Sequence, residues 1–234
     1  MKSIDVCLSP ELVHLYNVND KVVVVVDILR ATSCMVAGIA NGVESITPFA
    51  NLEACRAMKE QGYFIAGERN GQKVEGFDIG NSPYSYMADE LKGQRVAVTT
   101  TNGTVAIEKS KEAIQVIIGA FLNLSAVVNY LKSQENDVLI LCAGWKGKVN
   151  LEDTLYAGAL AEQLQGDFQY DCDAPLAAQA IYNQAKDDLL GFLANSSHVN
   201  RLKRLNIQKD IEFCLEPDQF EDIPVLVEGK LIRM

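Results

Sequence analysis

The stretch VVVVVDILRATS, residues 22–33, decides how the rest of the chain is read. Five successive valines are β-branched and apolar at every position. That is the pattern of a strand buried on both faces, as in the interior of a parallel sheet. The run stops at Asp27, and Arg30 follows before Thr32 and Ser33 open a helical pattern. Ligands of open α/β sheets bind beyond the carboxyl ends of the strands. A helix start with free amides is a natural phosphate site, and Arg30 adds a bidentate donor. The bland alternative is an Asp27 that only caps the helix, with Arg30 as its partner.

Outward from this stretch, apolar runs alternate with helical patterns. Strands are expected at 4–8, 21–27, 44–49, 63–66, 94–101, 114–119 and 137–142. Helices are expected at 32–41, 52–61, 103–111, 124–133, 151–165, 174–193 and 197–205. Strands at 211–215, 225–227 and 231–233 close the chain, the last two as a hairpin across Glu228-Gly229. This order predicts an α/β fold, a layered α/β/α arrangement with a mostly parallel or mixed sheet. A gapless shift of 72 lays FANLEA (49–54) on FLNLSA (121–126), VVVV (23–26) on RVAV (95–98) and Thr32 on Thr104. The expectation is one compact domain over 1–234, with two duplicated βαβα subdomains, 1–92 and 93–234, as its possible inner division. Two βα units that resemble each other by composition alone are the alternative.

The bulk numbers narrow the function. The chain has 234 residues, 48% of them hydrophobic, enough for a sizeable core. Its net charge is −10 and no basic stripe is present, which argues against nucleic acid as a partner. No apolar stretch reaches the length of a membrane span, so no membrane partner is expected. The six cysteines form no CxxC pair and mostly sit in apolar runs, as buried thiols do. A cytoplasmic protein is expected, and a homodimer from base rates alone. An anionic substrate would meet a repulsive field, so its site needs local Arg, Lys or a metal ion.

Four segments follow strands and could carry chemistry. In DILRATS (27–33), Asp27 and Arg30 are the catalytic candidates, with Thr32 and Ser33 as substrate-binding donors. In TTTNGT (99–104), Thr100, Thr101, Asn102, Gly103 and Thr104 offer donors and a close backbone approach to a phosphate. The neighbouring GTVAIEKS (103–110) fails the P-loop pattern, because Glu108 occupies the second glycine's position. In GERNGQKVEGFDIGNS (67–82), Glu68 and Asp78 join Asp27 as an oxygen-rich set suited to Mg²⁺, and Arg69 and Lys73 are anion binders. In CAGWKGKVNLED (142–153), Lys146 is a substrate-binding candidate. Glu152 and Asp153 could do no more than complement a helix dipole. His14 and His198 are too isolated for a histidine-rich zinc site, and SSH (196–198) reads as a helix cap rather than a nucleophile beside its base.

Read together, VVVVVDILRATS, ANGVESITPF, GERNG, GFDIGNSP, VTTTNGT, LILCAGWKG, LEDTLYAGAL, SSH and DIEFCL resemble, in order, the 2-phosphosulfolactate phosphatase (ComB-like) family. The resemblance runs from about residue 22 to 215. It implies a Mg²⁺-dependent hydrolase of 2-hydroxy acid phosphate monoesters, in particular 2-phospho-3-sulfolactate, giving 3-sulfolactate and phosphate in coenzyme M biosynthesis. Asp27 would serve either as metal ligand or as the nucleophile. Two other readings stay open: a non-catalytic binding or regulatory module for small phosphorylated acids, and a phosphatase of the same family with another phosphoester.

Overall fold

The computed structural model describes residues 1–234. Its strands are β1 (Ser3–Cys7), β2 (Lys21–Val26), β3 (Ser45–Pro48), β4 (Phe64–Arg69), β5 (Gln72–Lys73), β6 (Arg95–Thr99), β7 (Gln115–Gly119), β8 (Asp137–Cys142), β9 (Gln169–Tyr170), β10 (Pro224–Val227) and β11 (Lys230–Arg233). They form one mixed sheet in the order β5-β4-β6-β3-β11-β10-β7-β2-β8-β1-β9. The helices are α1 (Ala31–Ala40), α2 (Leu52–Ala57), α3 (Pro83–Tyr86), α4 (Gly103–Lys109), α5 (Leu124–Ser133), α6 (Leu151–Gln163), α7 (Ala174–Ala185), α8 (Leu189–Leu193), α9 (Ser197–Lys203) and α10 (Gln208–Cys214). The layered α/β/α expectation holds. No helix is long and apolar enough to cross a membrane.

The five-valine run lies where its composition demands. β2 is flanked by β7 and β8, both parallel to it, and Val22 to Val26 have no exposed surface. The sheet contains two parallel triplets: β7-β2-β8, and β3-β6-β4. Between them sits the terminal hairpin β10–β11, antiparallel to β7 through Val225–Ile117 and to β3 through Leu231–Ile46. Three antiparallel steps reverse direction between the triplets. The shift of 72 pairs β2 with β6, and the chain order then pairs β3 with β7 and β4 with β8. Each member occupies the equivalent place in its own triplet, so the repeat seen in the sequence is also a repeat of topology.

The triplets exchange connections. β2 leads through α1 to β3 in the other triplet, and β6 leads through α4 to β7. Both loops are thereby drawn to one place. A Cβ on Gly103 would lie 2.8 Å from the Asp27 carboxylate and 2.8 Å from the Ala31 methyl, so only glycine allows α4 to begin against α1. Helix α1 is buried along almost its whole length, between α3 and α4 and the middle strands, which is why it carries no polar stripe.

Three expected elements differ. Residues 211–214 are helical, in α10, and Leu215 caps it, where a strand was expected: Ile211, Cys214 and Leu215 repeat at helical spacing and are buried. The expected helix 174–193 breaks in two, because Asp188 caps α8 by accepting from Gly191 N at 2.8 Å. The long loop 67–82 begins inside β4, which runs on to Arg69 and turns back as β5.

Ile117 bridges the two sheet directions, pairing with Val24 on one side and Val225 on the other with no exposed surface. Ile117→Ala is expected to lower stability by about 2–5 kcal/mol, read as a reduced urea midpoint with unchanged slope.

Candidate active site

Asp27 is the first residue after β2, and its backbone is held from two directions. Its N–H donates to Thr32 Oγ1 at 3.0 Å, while the next amide, Ile28 N, donates to Asp153 Oδ1 at 2.9 Å. The other oxygen of Asp153 accepts from Gly144 N at 3.0 Å. Asp153 therefore ties the loop after β2 to the loop after β8. It can do so because Asn150 caps α6 and sets the first helical turn beneath both loops. Burial, with Asp27 and Glu152 close by, pushes the Asp153 carboxyl up despite these two donors.

Beyond this clasp lies a polar cavity lined by Asp27, Arg30, Glu68, Asn81, Asn102 and His198, with Leu29, Gly71, Trp145 and Leu202 completing the wall. Four elements deliver its charged groups. Arg30 reaches it from the start of α1, where its guanidinium pairs with Asp210 of α10 and donates to Gly71 O at 3.3 Å. Asp210 is held in turn by Ser82 Oγ at 3.1 Å. Glu68 comes from the end of β4 and accepts from the Gly71 amide and from Thr101 N and Oγ1. His198 stands in the first turn of α9, whose cap is Ser196. Its Nδ1 is hydrogen-bonded to Glu152 of α6, a glutamate with no exposed surface. The other Glu152 oxygen is buried without a partner.

The electrostatics follow from this crowding. Burial pushes the Asp27 carboxyl up to about 6; nearby Glu68 and Glu152 add to the rise, and His198 opposes it. The one arginine in the wall is already engaged by Asp210. The cavity therefore concentrates carboxylates with little positive charge to balance them, and a cation or the protonated histidine would relieve it.

The structure distributes the expected site residues unevenly. Asp27, Arg30, Glu68 and Asn102 line the cavity. Thr32 and Ser33 do not: Thr32 Oγ1 accepts from Asp27 N, and Ser33 Oγ donates to Ile28 O at 2.8 Å, so both hydroxyls fix the loop itself. Thr100 and Thr104 bond to each other's side chain and backbone in the same way. Gly103 supplies the close approach to Asp27, and Thr101 supports Glu68. Arg69 turns back onto Glu68 O and Thr99 Oγ1, outside the cavity wall. Lys146 lies beside the cavity, its amide on Asn102 Oδ1 at 3.0 Å. Asp78 is elsewhere: its carboxylate accepts from Ile65 N, near the start of β4, and pairs with Lys59 at 2.6 Å. Glu68 is at the opposite end of that strand, so the three-acid set of Asp27, Glu68 and Asp78 does not assemble. No three His, Cys, Asp or Glu side chains are placed to hold one metal ion by themselves.

His198 and Asn81, whose buried Oδ1 is unpartnered, line the cavity without any local sequence pattern that marks them as site residues. The available signal was Glu152. A glutamate among LEDTLYAGAL, on a helix apolar nearly all round, is buried and needs a partner.

The fold and the cavity define an α/β enzyme with a buried carboxylate–histidine centre. The sequence model of 2-phosphosulpholactate phosphatase matches residues 7–229. A probable 2-phosphosulfolactate phosphatase of Thermotoga petrophila is 40% identical over 229 residues, 98% of this chain and 97% of that protein. Proteins with the same name from Caldanaerobacter subterraneus (38%, covering 91% and 90%) and Clostridium acetobutylicum (34%, covering 98% and 99%) are also similar. The chain belongs to the 2-phosphosulpholactate phosphatase family and is a phosphoric monoester hydrolase.

The raised Asp27 carboxyl has a consequence for stability. The folded protein keeps this proton to about pH 6, whereas the unfolded chain releases it near 3.8. Stability from this group is thus fully present below pH 3.8 and is lost as the pH rises through 6. In chelator-treated protein, Asp27→Asn is expected to be the more stable form at pH 7.5, by about 1–3 kcal/mol. That difference should shrink toward pH 4; equal melting temperatures at both pH values would contradict it.

Proposed function

We propose that this enzyme hydrolyses the phosphate monoester of 2-phospho-3-sulfolactate to 3-sulfolactate and phosphate, with Mg²⁺, as a step of coenzyme M formation in the cytoplasm. The observation that carries the reading is the juxtaposition, in one cavity of a phosphatase-family chain, of Asp27, Glu68, Arg30 and the Glu152-oriented His198.

The residues fit a hard cation of the Mg²⁺ type. Mg²⁺ is usually held by one or two carboxylates together with waters and substrate phosphate oxygens, and Asp27 and Glu68 both reach the cavity. These two are the carboxylates we assign to it, without Asp78. When bound, the ion would neutralise charge on the phosphate. Arg30, oriented by Asp210, is placed to donate its remaining N–H groups to phosphate oxygens, and Asn81 and Asn102 supply neutral polar contacts.

Ester cleavage leaves an alkoxide on the 2-hydroxy acid, and that oxygen needs a proton. His198 is the group positioned to give one. An ionised Glu152 can only accept, so Nδ1 carries a hydrogen toward it and Nε2 is left for the cavity. The proposed step is in-line attack of water on phosphorus. The bond between phosphorus and the oxygen on carbon 2 breaks, and its electron pair stays on that oxygen. His198, entering the step as the doubly protonated imidazolium, donates its Nε2 proton to it and regains one from solvent before the next turnover. The proton of the attacking water passes to solvent or to the phosphate.

The direct test is phosphate release from 2-phospho-3-sulfolactate with Mg²⁺ and with excess chelator. Release is expected only with the metal; none in either condition would favour a non-catalytic binder of phosphorylated acids. His198→Asn is expected to lower kcat by roughly 10²–10⁴, and Glu152→Gln to lower it less. An ester with a good leaving group, such as p-nitrophenyl phosphate, should recover much of the His198→Asn loss, because it needs no proton. Equal losses on both esters would remove His198 from the acid role.

A further inference from the structure

The active-site cavity does not end at His198. His198, Trp145, Gly71 and Leu202 form a shared wall, on whose other side lies an outer chamber lined also by Asn70, Lys146, Arg201 and Leu205. Arg201 lies three residues after His198 on α9 and so shares its face. Its guanidinium lies over the Trp145 ring, 4.3 Å from the centroid, and the His198 ring also packs on that indole, with centroids 5.1 Å apart. Lys146 Nζ is 5.4 Å from the same indole and 3.3 Å from Asn70 Oδ1.

Neither cation is neutralised. Arg201 and Lys146 take part in no ion pair, in a chain with ten more acidic than basic residues. Arg201 Nε and Nη2 are shielded from solvent and have no hydrogen-bond acceptor. Shielded guanidinium donors without an acceptor are costly, and the charge of this guanidinium, which lines the outer chamber, is left for an anion there to balance. The loop is held in place: Lys146 has a left-handed backbone, φ 49°, and its N–H donates to Asn102 Oδ1.

We infer that Arg201, stacked on Trp145 and seconded by Lys146, is the specificity-determining site for the sulfonate of the substrate. The inference rests on the proposed function and deepens it. In 2-phospho-3-sulfolactate the carboxylate sits on the phosphate-bearing carbon and stays near the inner cavity. The sulfonate is one carbon further out, which places it toward the outer chamber when phosphate lies at Asp27 and Arg30. A sulfonate is permanently ionised and presents three oxygens to the planar donor fork of arginine, a geometry lysine does not reproduce.

The test compares 2-phospho-3-sulfolactate with 2-phospholactate, the same ester without the sulfonate, using the Mg²⁺-loaded enzyme and its Arg201→Met form. Removing Arg201 is expected to lower kcat/KM for the sulfonated ester roughly 10- to 100-fold, mainly through KM. Preference for the sulfonated ester over phospholactate should fall by a comparable factor, and inhibition by 3-sulfolactate should weaken with it. Arg201→Lys is expected to recover part of the preference, and Lys146→Met to shift it in the same direction by less. An unchanged preference, or equal losses on both esters, would overturn the sulfonate assignment while leaving the phosphatase reading intact. A wild-type enzyme that hydrolyses neither ester would overturn both.

Discussion

The structure depends on one buried clasp, the carboxylate of Asp153 held between the amides of Ile28 and Gly144. Those amides begin the loops after β2 and β8, adjacent strands whose ends would otherwise present unpaired backbone to the cavity. The acceptor must be anionic and short to bridge both, and it must project from a helix that starts directly below. α6 provides this with Asn150 at its cap and Asp153 in its first turn. The same turn carries its neighbour Glu152, fully buried behind the cavity wall, where it meets His198. Positioning of the loop and orientation of the histidine are thus two outcomes of one helix start.

That arrangement concentrates negative charge. Asp27, Glu68, Glu152 and Asp153 lie near one another in the interior of an already acidic chain. Folding alone gives no reason to collect them, since a buried carboxylate without a compensating cation or donor is unfavourable. The chain places Arg30 there but commits it to Asp210, and keeps Arg201 and Lys146 outside, on the far side of Trp145 and His198. The result is a division of charge: carboxylates in the cavity, and two cations in the neighbouring chamber. Only a cation, or a proton on His198, balances the interior.

Much of this was legible in the sequence. The valine run fixed a central strand, and the acid and arginine after it do reach the cavity. The shift of 72 pairs β2 with β6, the middle strands of the two triplets, although each triplet takes strands from both halves of the chain rather than from 1–92 or 93–234 alone. What local pattern could not show was the direction of side chains within loops. Thr32, Ser33, Thr100 and Thr104 have the composition of a phosphate cradle, yet their hydroxyls close the turns that hold the loops. Asp78 has the composition of a metal ligand, yet it is spent on Ile65 N and Lys59. His198 and Asp210 come from the helices after residue 195. Their relevance depends on α9 and α10 folding back over the strand ends, a long-range event with no local signature. α10 was also obscured by its composition, since IEFCL reads as β-like until Asp210 is seen pairing with Arg30.

The two equivalent loops show how a repeat can be divided between roles. In both, the threonine of the following helix accepts an amide hydrogen at the strand end: Thr32 from Asp27 N, and Thr104 from Thr100 N. In the first loop the strand ends in an acid that enters the cavity. In the second it ends in threonines that brace Glu68 and Arg69, and the helix starts with the glycine that Asp27 touches. The second copy therefore acts through the first, as support for its carboxylates. Because the triplets run in opposite directions and exchange their helices, neither copy can form the cavity without the other, and the hairpin β10–β11 that joins them is part of what holds Asp27 against Gly103.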